Sequence, residues 1–303
     1  MLFDNTQRAY HLKTDRELYK AYYLFRLISN STLVTVGSWF AQLSLKLRLP
    51  VAPLFKATVF SQFCAGLNKE ESLELVNKLE SYKINSYLHF AAEESKTEEG
   101  MDISLANTLE TLSFSKESSS LPFTVFKATA LGPMSLFKKK GDKIDFTNSE
   151  EETWKRVLNR IDTCCENAKK MGVNLLIDAE ESWFQDAIDE IAESLMEKYN
   201  KEPPFVYTTL QMYRKDRLEY LKNLHENATK KGFKIGVKLV RGAYIEKENS
   251  RVLQLGISSP ICESKLMTDL NFHDLLECII KNLEDCSLFL GFLYDPSVKR
   301  VID

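Results

Sequence analysis

Two cations within and beside an apolar strand mark the stretch of this sequence that could do chemistry. Residues 235–240 have the composition of a buried strand, yet they include Lys238 and are followed directly by Arg241 and Gly242. A cation among apolar residues needs an anionic partner or a ligand phosphate, and a glycine allows the backbone to turn or to approach a ligand closely. The stretch therefore predicts a binding site, although a strand ending in a surface turn is an equally good interpretation of this segment alone.

The same pattern recurs at the ends of the other predicted strands. In a βα barrel the C-terminal strand ends share one face, so polar residues there would meet around one ligand. One carboxylate that faces one or two cations suits a zwitterionic substrate or a phosphate-bearing cofactor better than catalysis by a carboxylate pair. Asp178 could instead cap the next helix together with Glu180 and Glu181. The polar strand ends are His89, Lys127, Asp178, Gln211, and Lys238 with Arg241.

Several other classes of function have no support in the sequence. It has no Ser-His-Asp order, no Walker-type loop and no GxGxxG loop. The six cysteines form no CxxC pair and no histidine stands at zinc-ligand spacing, so we expect reduced thiols and no metal. The net charge of −3 comes from interleaved acidic and basic residues, which is not a nucleic-acid footprint. A small-molecule partner is the remaining expectation.

The elements that would position these residues fall into two regions. Residues 1–83 read as a helical arm, in which Thr14 and Glu17 form a capping box and Asn68 caps a helix that runs to about Lys83. Two further helices are expected at about Leu33–Leu49 and Leu54–Cys64. No stretch reaches about 18 uninterrupted apolar residues, so no membrane-spanning segment is predicted.

From residue 84 onward, short apolar strands alternate with amphipathic helices, which predicts a βα barrel in residues 84–303. The predicted strands are Ile84–Phe90, Phe123–Lys127, Val173–Asp178, Phe205–Gln211, Ile235–Val240 and Ser287–Leu290. The predicted helices are Ile103–Ser115, Glu151–Lys170 behind a box at Ser149–Glu152, Trp183–Asn200, Arg214–Lys231, Glu246–Leu255 and Phe272–Leu283.

The ordered motifs on these elements resemble those of the proline dehydrogenase family, especially its single-function enzymes. The resemblance covers about residues 1–290 and depends on the order and spacing of the whole set, since no one motif is unique. The motifs are Phe3–Thr6, Thr58–Phe63, Phe126-Lys127, Leu176–Glu181, Thr209–Tyr213 with Arg214 and Asp216, and Lys238–Tyr244.

The resemblance implies a distorted (βα)8 TIM-type barrel that holds FAD non-covalently. Such an enzyme oxidises L-proline to Δ1-pyrroline-5-carboxylate, the first step of proline catabolism to glutamate, and passes the electrons to a membrane quinone. The flavin carries the redox chemistry, so no side chain is expected to be catalytic itself. By motif, the residues lining the proline pocket would be Lys127, Asp178 and Tyr244. Those holding the flavin would be Gln211, Lys238, Val240, Arg241, Gly242 and Ala243.

The end of the sequence departs from that family. After Leu288–Gly291 the family continues with two further strands and a helix whose paired arginines grip the proline carboxylate, whereas this chain ends at Asp303. The expectation is therefore a barrel of about six strands. Two alternatives stay open, a catalytically impaired truncated remnant and a hydroxyproline dehydrogenase.

The expected location follows from the N-terminus and from the quinone. The N-terminal residues lack the composition of a transit peptide, which favours a bacterial cytoplasm with peripheral contact to the inner membrane. A eukaryotic version would lie on the matrix side of mitochondria.

Overall fold

The computed structural model describes residues 5–89, 96–201, 203–282 and 284–290. The chain divides into two compact units, Met1–Lys83 and Ile84–Asp303. The described part of the first is helical, and the second alternates strands with helices. Phe3 of the first family motif, Phe90, Leu283 and the segment after Leu290 lie outside the described residues.

The first unit contains short and medium-length helices. Thr14 and Glu17 form the expected capping box, with Glu17 accepting from the Thr14 amide at 2.7 Å. Asn68 accepts from the Glu71 amide at 2.8 Å and caps the last helix, as expected. The third predicted helix is wrong as a single element, because a π-helical turn at Lys56–Phe60 separates two α-helical pieces. The α-helices are α1 Thr6–Tyr10, α2 Asp15–Ile28, α3 Ser31–Lys46, α4 Ala52–Phe55, α5 Ser61–Phe63 and α6 Lys69–Glu80.

The second unit repeats a strand-then-helix order. Its strands are β1 Tyr87–Leu88, β2 Phe123–Lys127, β3 Asn174–Asp178, β4 Val206–Gln211, β5 Ile235–Val240 and β6 Cys286–Leu290. Its α-helices are α7 Glu98–Lys116, α8 Met134–Gly141, α9 Asn148–Met171, α10 Ser182–Tyr199, α11 Arg217–Lys231, α12 Ile245–Leu255 and α13 Lys265–Ile280, and a 3-10 turn covers Ala128–Ala130. Within the described ranges, no helix is both long and apolar enough to cross a bilayer.

The predictions for three helices need correction. The box before α9 is formed by Thr147 and Glu150, two residues before the predicted one, because the Glu150 carboxylate accepts from the Thr147 amide at 2.9 Å. Helix α13 begins at Lys265 because Ser264 caps it by accepting from the Met267 amide. Helix α8 was not predicted.

The sheet is parallel, and its strands follow one another in sequence order from β1 to β6. Strands β2 and β6 are four places apart, so a flat sheet would separate them by about 19 Å. The rings of Phe123 on β2 and Phe289 on β6 instead lie 5.2 Å apart, with an interplanar angle of 57°. The sheet is therefore curled about these rings, as in the expected βα barrel.

Both faces of this curled sheet are apolar over much of their length. On the outer face, residues such as Ile177, Leu210 and Leu239 are fully buried beneath the helices. On the inner face, Val125, Leu176 and Tyr207 form a second, smaller cluster. Burial on both faces explains why the strands read as nearly continuous apolar runs, and it leaves the polar residues of the inner face as the exceptions that need a function.

Candidate active site

Strand register places three charged residues on the inner face of the sheet at one level. Lys127 pairs with Asp178 between β2 and β3, and Lys238 pairs with Thr209 between β4 and β5. The β3–β4 register, which aligns Ile177 with Thr208, sets these two pairs at the same height. We call Lys127, Asp178 and Lys238 the charged row. Alternation along each strand turns all three toward the interior.

The central contact of the charged row is an ion pair between β3 and β5. Lys238 Nζ lies 2.5 Å from Asp178 Oδ1, and the two side chains are 7% and 21% exposed. Strand β4 passes between them, and its Thr209 hydroxyl donates to the Ile177 carbonyl at 2.9 Å instead of competing for either charge. The helix-cap interpretation of Asp178 is not observed, because α10 begins after Glu181, whose side chain makes no capping hydrogen bond.

Lys127 is the second cation of the charged row. Its ammonium lies 5.9 Å from the ring centroid of Tyr244, which brings together two of the three predicted substrate residues. In the part of the chain that the structure describes, Lys127 has no ion-pair partner. It is therefore available to an anionic ligand.

His89 follows β1 and faces the same charges. Desolvation by its surroundings lowers the pKa of the imidazole, Asp178 opposes that shift, and the cations of Lys127 and Lys238 add to it. The ring is consequently neutral near pH 7 and adds no third positive charge to the site.

Gln211 joins the ends of three strands. Its Nε2 donates to the Glu180 carbonyl at 2.7 Å, and its Oε1 accepts from the Ala243 amide at 3.4 Å. Val240 lies beside it as its register partner on β5. The long second hydrogen bond leaves the Ala243 amide able to reorient toward a ligand acceptor.

The turn after β5 is shaped by Gly242 and Tyr213. Gly242 has a φ of +127°, and a Cβ there would lie 2.3 Å from Cδ1 of Tyr213. Tyr213 is 2% exposed, and its hydroxyl has no hydrogen-bond partner among the described residues. Burial raises the pKa of this hydroxyl, with Glu248 adding to the shift. The backbone of the turn thus lies directly against the Tyr213 ring, and the neutral Tyr213 hydroxyl has no described hydrogen-bond partner.

Arg241 points away from the charged row. Its Nε donates to Asp269 Oδ1 at 2.6 Å, and its guanidinium stacks on Phe272 at 5.1 Å, both on α13. Of the nine predicted site residues, it alone has its described side-chain partners on α13.

Glu180 is the site residue that sequence reasoning missed as a functional group. It is 4% exposed, and both of its carboxylate oxygens accept hydrogen bonds from Thr129. The sequence suggested only a helix cap for it, because 51 residues separate it from Thr129 and no local periodicity reports such a contact. Among the residues described, no group of three His, Cys, Asp or Glu side chains could hold a metal ion.

The ion pair predicts strong energetic coupling between Asp178 and Lys238. Replacing one partner leaves a buried charge uncompensated, so Asp178→Asn and Lys238→Met should each lower the free energy of unfolding by about 3 kcal/mol. The double variant should recover at least about 1 kcal/mol of the summed loss. Urea denaturation of the four proteins measures this cycle.

A matched control uses the exposed pair Glu226–Lys230, whose charged atoms lie 3.8 Å apart. Its double-mutant cycle should show no measurable coupling. Additive losses at Asp178 and Lys238 would contradict the buried pairing.

This chain has relatives among known families and proteins. The family model described as "Proline dehydrogenase" matches residues 72–292. The chain is 31% identical over 199 residues to the carbapenem antibiotics biosynthesis protein CarD of Pectobacterium carotovorum, covering 66% of this chain and 53% of that protein. It is 27% identical to mitochondrial proline dehydrogenase 1 of Dictyostelium discoideum, covering 95% of this chain and 58% of that protein. The chain thus spans just over half the length of these relatives.

Solved structures resemble the fold at low sequence identity. Proline utilization A from Bdellovibrio bacteriovorus, inactivated by N-propargylglycine, superposes with a TM-score of 0.69 at 17% identity over 93% of this chain and 30% of that one. The Bradyrhizobium japonicum protein of the same name gives a TM-score of 0.65 at 17% identity over 78% of this chain and 24% of that one. Because the family model matches well over half of the chain, the chain belongs to the proline dehydrogenase family.

Proposed function

We propose that this protein oxidises L-proline to Δ1-pyrroline-5-carboxylate with FAD as its cofactor. The observation that carries the proposal is the charged row, in which one carboxylate lies between two cations on the inner face of the barrel. Proline is a compact zwitterion in which the carboxylate and the positively charged ring nitrogen are bonded to the same carbon. The charged row offers each of these groups side chains of opposite charge. Family membership supports the same reaction.

Three side chains would bind different parts of the proline molecule. Lys127, which has no described ion-pair partner, would bind the proline carboxylate. Asp178 would accept a hydrogen bond from the ring nitrogen, with its orientation fixed by Lys238. The Tyr244 ring beside Lys127 would cover the apolar edge of the pyrrolidine ring. Two ring carbons are bonded to the nitrogen, and this arrangement leaves the one without the carboxylate free to be oxidised. The product requires this, because its double bond joins that carbon to the nitrogen.

The turn after β5 suits a flavin. A flavin ring offers carbonyl and nitrogen acceptors, and the donors around this turn are the Lys238 ammonium, the Gln211 amide and the backbone amide of Ala243. The buried, orphaned hydroxyl of Tyr213 lies under the same turn. When bound, the flavin would accept the hydride removed from proline and later pass the electrons on. Arg241, whose Nε donates to Asp269, would lie nearer the diphosphate.

The role of the protein in this reaction is orientation and electrostatics. Lys238 holds Asp178 in one rotamer, and Gln211 ties the end of β3 to the turn after β5. A membrane quinone is the proposed final electron acceptor, and we accordingly propose a location at a membrane surface, in a bacterial cytoplasm or on the matrix side of mitochondria.

Proline-dependent reduction of a dye by the purified flavoprotein tests the proposal. Asp178→Asn keeps the shape but loses the charge, so kcat/KM should fall by about 100-fold, which corresponds to about 2.7 kcal/mol of transition-state stabilisation. Asp186→Asn on the outer surface of α10, where the side chain is 58% exposed, is the matched control and should retain activity. Equal activity of the wild type and the Asp178 variant would rule out the assigned role.

Flavin content tests the turn separately. Gly242→Ala should weaken FAD binding by at least about tenfold, because the added Cβ collides with Tyr213 and displaces the turn. Gly172→Ala is the control, since Gly172 also has a positive φ, +71°, but nothing lies within 4 Å of its added Cβ. Fluorescence quenching of FAD titrated with each apoprotein measures the affinity. Equal affinities of the two variants would place the flavin elsewhere.

A further inference from the structure

Glu180 continues the pairing of β2 and β3 beyond the point where the strands end. Lys127 and Asp178 are register partners, Thr129 lies two residues after the first, and Glu180 lies two residues after the second. Glu180 Oε1 accepts from the Thr129 amide at 3.1 Å, and Oε2 accepts from the Thr129 hydroxyl. The Glu180 carboxylate therefore continues the hydrogen bonding between β2 and β3 beyond the last backbone pair.

The backbone of Glu180 forms hydrogen bonds with two glutamine side chains. Its carbonyl accepts from Gln211 Nε2 at 2.7 Å, and its amide donates to Gln185 Oε1 at 2.8 Å. Gln185 in turn donates to Asp189 Oδ1 at 2.7 Å inside α10. Glu180 thus connects the ends of β2, β3 and β4 with the first turns of α10.

The charges around Glu180 come from three elements. Lys127 at the end of β2 is a cation that acts on it, and Glu181 is a neighbouring anion that is itself paired with Lys247 of α12. The hydroxyl of Tyr244, just before α12, also interacts with the Glu180 charge. Burial raises the pKa of the Glu180 carboxyl to about 7, against the opposing effects of the two Thr129 hydrogen bonds and of Lys127. Its charge therefore changes within the physiological pH range.

We propose that Glu180 is a positioning residue whose ionised carboxylate aligns the ends of β2, β3 and β4, and so presents Lys127, Asp178 and Gln211 to their ligands in one geometry. This inference rests on the proposed function. When the carboxylate takes up a proton, it loses its attraction for Lys127 and one of its acceptor sites becomes a donor, so the alignment of β2 with β3 weakens.

The way stability changes with pH distinguishes a positioning role of Glu180 from a purely structural one. Since the folded-state pKa lies above the ordinary 4.5, the folded protein binds this proton more tightly than the unfolded chain. The contribution of Glu180 to stability is thus greatest at acidic pH and declines as pH rises from about 4.5 to about 7. Ligand binding should change in the opposite direction. A group that only held the fold together would not strengthen ligand binding over the pH range in which it weakens the fold.

The experiment is the pH profile of kcat/KM for proline-dependent dye reduction by the holoenzyme. In the wild type, kcat/KM should rise by up to about tenfold between pH 6 and pH 8 as Glu180 ionises. Glu180→Gln keeps the size and one acceptor oxygen but carries no charge, so its kcat/KM should change less than about twofold over this interval. Glu226→Gln, at an exposed glutamate of α11, is the control and should retain the rise.

A second pair of variants moves the midpoint without removing the carboxyl. Thr129→Val deletes the hydroxyl donor that favours the anion, so the pKa of Glu180 should increase and the rise in kcat/KM should move to higher pH. Thr129→Ser keeps the hydroxyl and should leave the midpoint in place. Thermal unfolding of the same variants between pH 5 and pH 8 reports the titration without any substrate.

The outcomes are distinguishable. A wild type that proline does not reduce would overturn the proposed function, and this inference with it. A wild type that is active and shows the same pH profile as Glu180→Gln would overturn the inference alone. A flattened profile in Glu180→Gln, together with an upward shift in Thr129→Val and none in Thr129→Ser, would establish Glu180 as the positioning residue.

Discussion

A positive and a negative charge buried together inside the barrel constrain the rest of this unit. Lys238 and Asp178 lie on strands that are not neighbours, so their ion pair forms only if the sheet curls and only if the three strands keep their register. A slip of one residue in any of these strands would turn a charge into the apolar layer beneath the helices, where it would be unpaired. The need to keep these charges together thus fixes register more strictly than apolar packing alone would.

The same arrangement explains how a mainly apolar barrel can hold a polar substrate. The aromatic and aliphatic residues of the inner face fill the N-terminal half of the strands, and the charged row lies toward their C-terminal ends. Beyond it, Glu180 and Gln211 extend the strand pairing with side-chain hydrogen bonds. Because its pKa is raised, ionisation of Glu180 makes the fold less stable at neutral than at acidic pH, a cost that is typical of sites maintained for binding rather than for folding.

Local sequence patterns predicted much of this arrangement. The bounds of β2 and β5 agree with the predicted ones, and the position of Lys127, Asp178 and Lys238 at or near the C-terminal ends of their strands was enough to predict that they lie together. Contacts between distant segments could not be predicted, because periodicity carries no information about them. The Arg241–Asp269 pair joins the end of β5 to a helix that begins seven residues before its predicted start, and the Glu180–Thr129 contact joins a loop to a 3-10 turn. Naming the flavin required the resemblance to a family, since a set of hydrogen-bond donors does not specify one cofactor.

Proline oxidation at the charged row is tested most simply by the visible absorption spectrum of the purified protein, recorded anaerobically before and after the addition of L-proline. We expect an oxidised flavin spectrum that bleaches when proline is added, because the charged row orients proline against the flavin. A colourless protein, or a flavin spectrum that proline leaves unchanged, would contradict this role of the charged row.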